Sequence, residues 1–129
     1  MYINNHVFIS NDEMEKLIEQ NYIDFQIIRT EERERMYYVL TNNTNYKFIY
    51  GFMLRLYRNR WNHWMEVEFI QPAFSDGIIL HPHSSEKRLI SDLHELFGSL
   101  LPGRYALIKD LQHVVAGAWI SAGDILILD

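Results

Sequence analysis

The segment most informative about the fold is Leu101-Pro102-Gly103-Arg104-Tyr105-Ala106-Leu107-Ile108-Lys109, in the last third of the chain. Pro102 fixes its own φ and Gly103 tolerates positive φ, so the pair predicts a tight reversal. A β-type pattern resumes after the turn, with Tyr105 and Leu107 on one face. A tyrosine just inside a strand after such a turn can donate its hydroxyl back to the loop backbone. This arrangement is the tyrosine corner of Greek-key β-sandwiches, so the stretch predicts an all-β sandwich.

Composition and charge limit the class of protein. The chain has 129 residues, 48% hydrophobic and 22% charged, so one globular domain with its own core is expected. The formal net charge is −5. A generic nucleic-acid binder needs a basic surface, so nucleic acid is not expected as a partner. An acidic surface instead suits a basic protein target, because opposite fields raise association rates.

The absence of cysteine and of long apolar runs bears on chemistry and location. Without cysteine the chain cannot form disulfides, thiolate metal sites or a cysteine nucleophile. Residues 1–20 contain Asn, Asp and Glu and no continuous apolar run, so no signal peptide is expected. No window approaches the roughly 18 apolar residues of a membrane span. We therefore expect a cytoplasmic protein with no membrane contact.

An N-terminal helix is predicted from a cap signature. Ser10-Asn11-Asp12-Glu13 offers a cap and early acidic residues, and apolar residues at three-to-four spacing follow. A single short helix is marginal alone, so it should pack on the rest of the chain. We divide the chain into an N-terminal segment, 1–21, whose short helix packs on a sandwich, and the sandwich domain, 22–129.

A long strand and the hairpin after it are the clearest β elements. Apolar residues alternate over 46–58, which predicts one strand. Residues 58–62 then turn the chain and 63–70 return, so the two segments should form a hairpin. Residues 86–93 fit either a helix or a strand, and we favour a strand. The spacing of the turns predicts seven or eight short strands in an antiparallel β-sandwich.

Several short motifs between Met36 and Lys109 occur in a recognisable order. They are Tyr38-Val39-Leu40-Thr41-Asn42-Asn43-Thr44, then Tyr50-Gly51, Trp64, and Phe97-Gly98-Ser99-Leu100-Leu101-Pro102-Gly103-Arg104-Tyr105 before Ile108-Lys109. In order and spacing they resemble a family of small bacterial immunoglobulin-like domains of low-GC Gram-positive organisms. The resemblance implies an immunoglobulin-like β-sandwich and carries no catalytic residues.

The chain departs from that family in two respects. Family members are often exported or lipid-anchored, and this sequence shows neither a signal nor a cysteine. The family's last strand also tends to carry an acidic-aromatic pair where this sequence has Gly123-Asp124.

A histidine-rich loop is the best candidate metal site. Alternate residues of an extended backbone put His81 and His83 on the same side, and His94 or Glu95 could complete the ligand set. The other interpretation is a polar loop with surface histidines. The sequence thus leaves open a site made of His81, His83 and His94.

Motifs of enzymes and cofactor-binding proteins are absent. The chain has no GxGxxG, no GxxxxGK[ST], no HExxH and no EF-hand loop. Ser84-Ser85 beside His83 provides hydrolase residue types, but no nucleophile elbow accompanies them. We therefore expect no enzymatic activity and no cofactor.

Aromatic residues and arginines concentrate around the predicted hairpin. Aromatic residues make up 14% of the chain. Tyrosine, tryptophan and arginine together are typical of protein interface hot spots. The predicted partner-binding residues are Tyr57, Arg58, Arg60, Trp61 and His63. The other interpretation for Tyr57 and Trp64 is that they pack under the helix or a loop, whereas Trp61, in the turn itself, should be exposed.

These observations favour a non-enzymatic protein-binding domain, monomeric or homodimeric. Small size and acidity fit an intracellular inhibitor or immunity-type protein that acts on a basic protein target. Two alternatives come from other classes. One is a metal-binding protein that uses the three histidines, and the other is a structural module of an envelope or phage particle that self-associates through an exposed edge strand.

Overall fold

The protein is built from antiparallel strands with two short helices. The computed structural model describes residues 8–30, 36–51, 53–68, 77–90 and 93–129. Within them the helices are α1 (Asn11–Glu19) and α2 (Leu93–Phe97). The strands are β1 (Phe8–Ser10), β2 (Ile23–Arg29), β3 (Met36–Asn42), β4 (Phe48–Tyr50), β5 (Arg55–Arg60), β6 (His63–Val67), β7 (Ile78–Leu80), β8 (Ser85–Ile90), β9 (Gly103–His113) and β10 (Trp119–Leu128).

Two sheets enclose the main core. The larger sheet has the order β1-β6-β5-β9-β4-β7, and β10 also pairs with β9. The smaller sheet has the order β2-β3-β8. Every pairing in both sheets is antiparallel. The predicted β-sandwich is therefore confirmed, with ten strands in the described residues where seven or eight were expected.

The predicted tyrosine corner is present at the start of β9. The hydroxyl of Tyr105 donates a hydrogen bond to the carbonyl oxygen of Leu101 at 2.6 Å. The Tyr105 ring is buried in the main core, which both sheets line. The hydrogen bond therefore fixes the loop that precedes β9 to the sandwich.

The single long strand predicted over 46–58 is wrong, because the chain breaks between β4 and β5. Both strands pair with β9, at Ile49↔Gln112 and at Arg55↔Ile108. The two paired positions are thus six residues apart along β4 and β5 (49 to 55) but only four residues apart along β9 (108 to 112). Two additional residues must bulge out of the ladder, and Gly51 lies in this bulge.

A second, smaller core lies under α1 on the outer face of the larger sheet. The Ser10 hydroxyl caps the helix by accepting a hydrogen bond from the Glu13 amide at 3.2 Å, as the sequence predicts. Met14 and Leu17 of α1 are buried against Tyr57, among other residues of the sheet. Both faces of this sheet are therefore covered here, one by the second sheet and the other by the helix.

The side chain of Asp124 joins the two sheets where β10 runs beside β2. Its Oδ2 atom accepts a hydrogen bond from the Ile27 amide at 2.9 Å, and Arg29 Nη1 donates to the Ile127 carbonyl at 2.7 Å. Asp124 and Arg29 thus link β10 to β2 at this edge of the sandwich.

Some elements differ from the sequence prediction or lie outside the described residues. The N-terminal segment contributes β1, an unpredicted edge strand that pairs with β6. Residues 85–90 form the favoured strand, while α2 was not predicted. Residues 69–70 of the predicted return strand lie outside the described residues. Among the described residues, no helix has the length and apolar character needed to span a membrane.

Candidate protein-binding surface

The β5–β6 hairpin ends in a tight turn with an unusual residue at its tip. Arg60 pairs with His63, so only Trp61 and Asn62 form the turn. Trp61 has a φ of 58°, in the left-handed region that short hairpin turns usually reserve for Gly, Asn or Asp. A bulky aromatic residue in this region is strained, typically by about 1–3 kcal/mol.

The strain at Trp61 is not offset by packing of its side chain against the domain. That side chain is 91% exposed, the same value as Val115 in the turn between β9 and β10. Strained backbone concentrates at functional sites, where a side chain is held out for a ligand or partner. The tip of the hairpin is therefore the first candidate for a site of contact.

Arg58 anchors the hairpin to the tyrosine corner. Its Nη2 atom donates a hydrogen bond to the Pro102 carbonyl at 3.3 Å, and its guanidinium lies 5.8 Å from the centroid of the Tyr105 ring. Arg60, two residues further along β5, is exposed. The hairpin thus presents one arginine fixed on the corner and one directed to solvent.

Phe8 and His63 form a stacked pair beside the tip. Their ring centroids are 4.6 Å apart with an interplanar angle of 27°. Phe8 is 54% exposed although it belongs to β1, and Met65 is also exposed. Sequence reasoning missed Phe8, because only the pairing of β1 with β6 brings it beside the hairpin.

A cleft lies on each side of the hairpin. One, of about 360 Å³, lies between α1 and the hairpin and is lined by Ile18 and Trp61, among others. The other, of about 310 Å³, lies between the hairpin and the corner loop and is lined by Met65 and Leu101. We call the exposed tip the hairpin surface, and it comprises Phe8, Arg58, Arg60, Trp61, His63 and Met65.

Comparison with known proteins identifies the family. The family model of the bacterial Ig-like domain matches residues 20–119. The chain belongs to this family. No curated protein matches the chain. Membership indicates a binding or structural module, and such Ig-like domains are usually non-catalytic.

The Ig-like domain buries one of the residues predicted for partner binding. Tyr57 is fully buried under α1, so it cannot take part in the hairpin surface, and the prediction for this residue is corrected. Its hydroxyl donates to Glu66 Oε2 at 3.3 Å and accepts from Arg55 Nη1 at 3.2 Å. Burial raises the pKa of Tyr57 to about 12, because its ionised form would lose solvation. Trp64 is buried in the same cluster.

The three histidines of the candidate metal site are not brought together in this Ig-like domain. In the described residues, which include His81, His83 and His94, no group of three or more His, Asp or Glu is placed to hold a metal. His83 has a φ of 52°, and its Nε2 atom is 2.6 Å from Asn45 Oδ1. The interpretation as a polar loop therefore describes these residues better than a metal site.

The Ig-like domain also contains a buried cation that sequence reasoning noted only as part of a motif. Lys109 is fully buried between the sheets, where its Nζ donates to the carbonyl of Gly51 and, at 2.8 Å, to that of Met53. These carbonyls belong to the bulge between β4 and β5. Burial lowers the pKa of Lys109 to about 7, because the ammonium loses its hydration.

A polar cluster next to Lys109 joins the two sheets. The Tyr50 hydroxyl of β4 donates to Glu86 of β8, and Arg88 Nη2 lies 3.0 Å from Glu86 Oε2. Burial and the bond to Glu86 raise the pKa of Tyr50 above its usual value. Lys109 lines neither of the two clefts beside the hairpin. Both features therefore support the bulge and the sheet packing.

Proposed function

We propose that this Ig-like domain is a non-enzymatic binding module that holds another protein on its hairpin surface. The observation that carries the proposal is Trp61, which combines a positive φ with 91% exposure. Neither property helps the isolated domain to fold. A partner that covers the indole would recover the free energy of burying a large aromatic side chain, which is the usual basis of a hot spot.

The neighbours of Trp61 support the same function. The two clefts beside the hairpin, of about 360 and 310 Å³, offer depressions for side chains of the partner. Phe8 and Met65 add exposed apolar surface, and Arg60 adds a charged group that can form paired hydrogen bonds to carboxylates. An apolar centre flanked by arginine is the composition expected of a protein interface.

Charge would act on the partner in two ways, by steering it at long range and by pairing with it at the hairpin. The net charge of −5 would steer a basic protein toward this domain, and inhibition of such a protein is the specific role we propose. At the hairpin itself Arg58 and Arg60 would then contact carboxylates or carbonyl groups of that partner. Glu15 and Glu19 on α1, across the larger cleft, would face its basic groups.

Self-association through the β8 edge of the smaller sheet has less support. β8 is an edge strand of the smaller sheet, and its central residues are Glu86, Lys87 and Arg88. Charged side chains on an edge strand oppose pairing with a second copy. We therefore place the partner at the hairpin surface rather than at this edge.

Site-specific photocrosslinking tests the proposal. The variant Trp61→p-benzoylphenylalanine is exposed to a lysate of the native host and irradiated, with Val115→p-benzoylphenylalanine as a control of equal exposure. We expect one stoichiometric protein adduct from position 61 that position 115 does not give. The same protein should be captured by the wild-type domain and not by Trp61→Gly. Identical adducts from both positions, or capture that survives Trp61→Gly, would remove the hairpin surface from consideration.

Once the adduct is identified, its charge and activity test the specific role. A basic partner whose activity falls on stoichiometric addition of this domain is expected, and its association rate should drop as ionic strength rises. An acidic partner, or a partner whose activity is unchanged, would contradict the inhibitory role and leave the binding role standing.

A further inference from the structure

A third cleft lies at the end of the sandwich opposite the hairpin surface. The hairpin pairs with β9 near its start, at Arg58↔Tyr105, whereas this cleft adjoins its end at His113. Eight residues of strand separate Tyr105 from His113, which is roughly 26 Å. The cleft has a volume of about 530 Å³, within the range of ligand-binding sites.

Exposed aromatic side chains dominate this cleft. Tyr22, Tyr46 and Trp119 line it and are 63%, 58% and 47% exposed. They come from the segment before β2, the loop before β4 and the start of β10, so the fold rather than the sequence brings them together. Loops at the end of an Ig-like sandwich are where such domains place recognition residues.

The cleft is uncharged. None of the eleven described residues that line it is Asp, Glu, Lys or Arg, although 22% of the chain is charged. A ligand recognised mainly by its charge, such as a phosphate or a carboxylate, would find no counter-charge here. The ligand should therefore be neutral along the part that enters the cleft.

Two hydrogen-bond acceptors in the cleft are already occupied. Thr44 Oγ1 accepts from the Tyr46 amide at 3.1 Å. Asn45 Oδ1 lies 2.6 Å from His83 Nε2, so His83 donates to it in the tautomer that this contact requires. Both oxygen atoms serve the loop itself, and they are poorly available to a ligand.

The acceptor nitrogen of His113 is also occupied by a hydrogen bond within its own loop. Its Nδ1 atom accepts from the amides of Val115 and Ala116, at 3.2 and 2.9 Å. The neutral ring therefore carries its proton on Nε2, which is a donor. The ring also packs against Tyr46, with centroids 4.8 Å apart, so its position in the cleft is fixed.

The remaining polar groups are able to donate. Donors include the Asn45 amide nitrogen, His113 Nε2 and the hydroxyls of Tyr22 and Tyr46, and they outnumber the side-chain acceptors that remain, which are Asn43 Oδ1 and the two tyrosine oxygens. A matching ligand has many acceptors, few donors and apolar rings that stack on aromatic faces. Proline-rich chain in the polyproline II conformation has these properties, because its carbonyls are unpaired and proline has no N–H.

We propose that this aromatic cleft binds an extended, uncharged proline-rich segment of another protein. Aromatic-lined grooves recognise polyproline II chain because its preformed shape loses little conformational entropy on binding. A neutral oligosaccharide also stacks on aromatic rings. Each of its hydroxyls must donate as well as accept, however, and with Thr44 Oγ1, Asn45 Oδ1 and His113 Nδ1 already bonded the cleft offers a sugar few side-chain acceptors.

Titration of the isotope-labelled domain, followed by amide chemical shifts, tests the proposal. The probes are a capped decaproline peptide, a capped glycine-serine peptide of equal length and maltohexaose. We expect saturable shifts with decaproline alone, confined to Tyr22, His83, 43–46 and 113–120. Tyr22→Ala and Trp119→Ala should each weaken binding by about tenfold or more, as hot-spot aromatic residues do. Trp61→Gly, at the opposite end, should bind as the wild type does.

Four results would overturn the inference. The first is the absence of saturable shifts at millimolar decaproline, and the second is equal binding of the glycine-serine peptide. The third is binding of maltohexaose without binding of decaproline, which would assign the cleft to sugars. Unchanged affinity in both Tyr22→Ala and Trp119→Ala would equally place any peptide elsewhere. None of these results bears on the hairpin surface, because Trp61 is not altered in them.

Discussion

The guanidinium of Arg58 lies 5.8 Å from the centroid of the Tyr105 ring, within the range of a cation–π interaction. The same arginine donates to the Pro102 carbonyl at 3.3 Å. Tyr105 is the residue that makes the corner of the sandwich, and Arg58 belongs to the hairpin surface. The segment most informative about the fold therefore also holds one side of the candidate binding surface in place.

Removal of the corner hydroxyl gives the first prediction. Tyr105→Phe keeps the buried ring but removes the 2.6 Å hydrogen bond to the Leu101 carbonyl. We expect the free energy of unfolding to fall by about 1–2 kcal/mol, the usual cost of one such bond with its partner left unpaired. Urea denaturation measures this change. Tyr22→Phe, at an exposed tyrosine, is the matched control and should leave stability unchanged.

The strained turn gives the second prediction. Trp61→Gly removes an exposed side chain from a residue with a φ of 58°. Glycine adopts this φ freely, so the free energy of unfolding of Trp61→Gly should equal or exceed that of the wild type. Trp61→Ala keeps the backbone strain, so it should be less stable than Trp61→Gly by about 1 kcal/mol. Thermal and urea unfolding of the three proteins test the order. A loss of more than about 1 kcal/mol in Trp61→Gly would show that the indole packs on the domain.

Local patterns predicted those parts of the fold that local chemistry controls. The cap of α1, the β5–β6 hairpin and the corner at Tyr105 each depend on residues close together in sequence. The break between β4 and β5 was not predictable in this way. Alternation continues through Gly51, whereas the carbonyls of the bulge accept hydrogen bonds from Lys109, which is 58 residues from Gly51 in sequence.

The candidate sites could likewise be predicted only in part, because residues distant in sequence build them. Arg60 and Trp61 are exposed, as a turn predicts, but Tyr57 is buried because α1 covers a face that alternation alone assigned to solvent. The pairing of His81 with His83 assumed extended backbone, and a φ of 52° at His83 breaks that assumption. The aromatic cleft joins residues from 22 to 120, which no sequence motif connects.

Close packing of α1 on β10 gives the third prediction. A Cβ atom at Gly123 would lie 2.8 Å from the Leu107 carbonyl oxygen and 3.1 Å from Leu17 Cδ2. Gly123→Ala should therefore lower the free energy of unfolding by about 1–3 kcal/mol through overpacking. Gly103→Ala is the matched control, since its new Cβ comes no closer than 3.4 Å to Arg58. Equal stability of the two variants would mean that both α1 and the β9 backbone at Leu107 adjust without cost.

The fourth prediction concerns the pH dependence that Lys109 gives to stability. Its pKa is lowered by burial from 10.5 to about 7, so between these values the unfolded chain binds a proton that the folded domain does not. Stability should consequently rise with pH from about 7, by about 1 kcal/mol per pH unit. Below pH 7 lysine is protonated in both states, and the cost of burying its charge is fully present.

The rise of stability with pH should end near pH 10, where tyrosines begin to ionise in the unfolded chain. Burial raises the pKa values of Tyr38 and Tyr57 from 10.0 to about 12, so above pH 10 these tyrosines ionise first in the unfolded chain and stability falls. Lys109→Met removes the titrating group and leaves the tyrosines, so its stability should be nearly flat from pH 7 to 9.5 and fall above pH 10. Urea unfolding of both proteins at half-unit intervals measures the difference. Parallel curves from pH 7 to 9.5 would mean that Lys109 keeps its proton in the folded domain, held by the carbonyls of Gly51 and Met53.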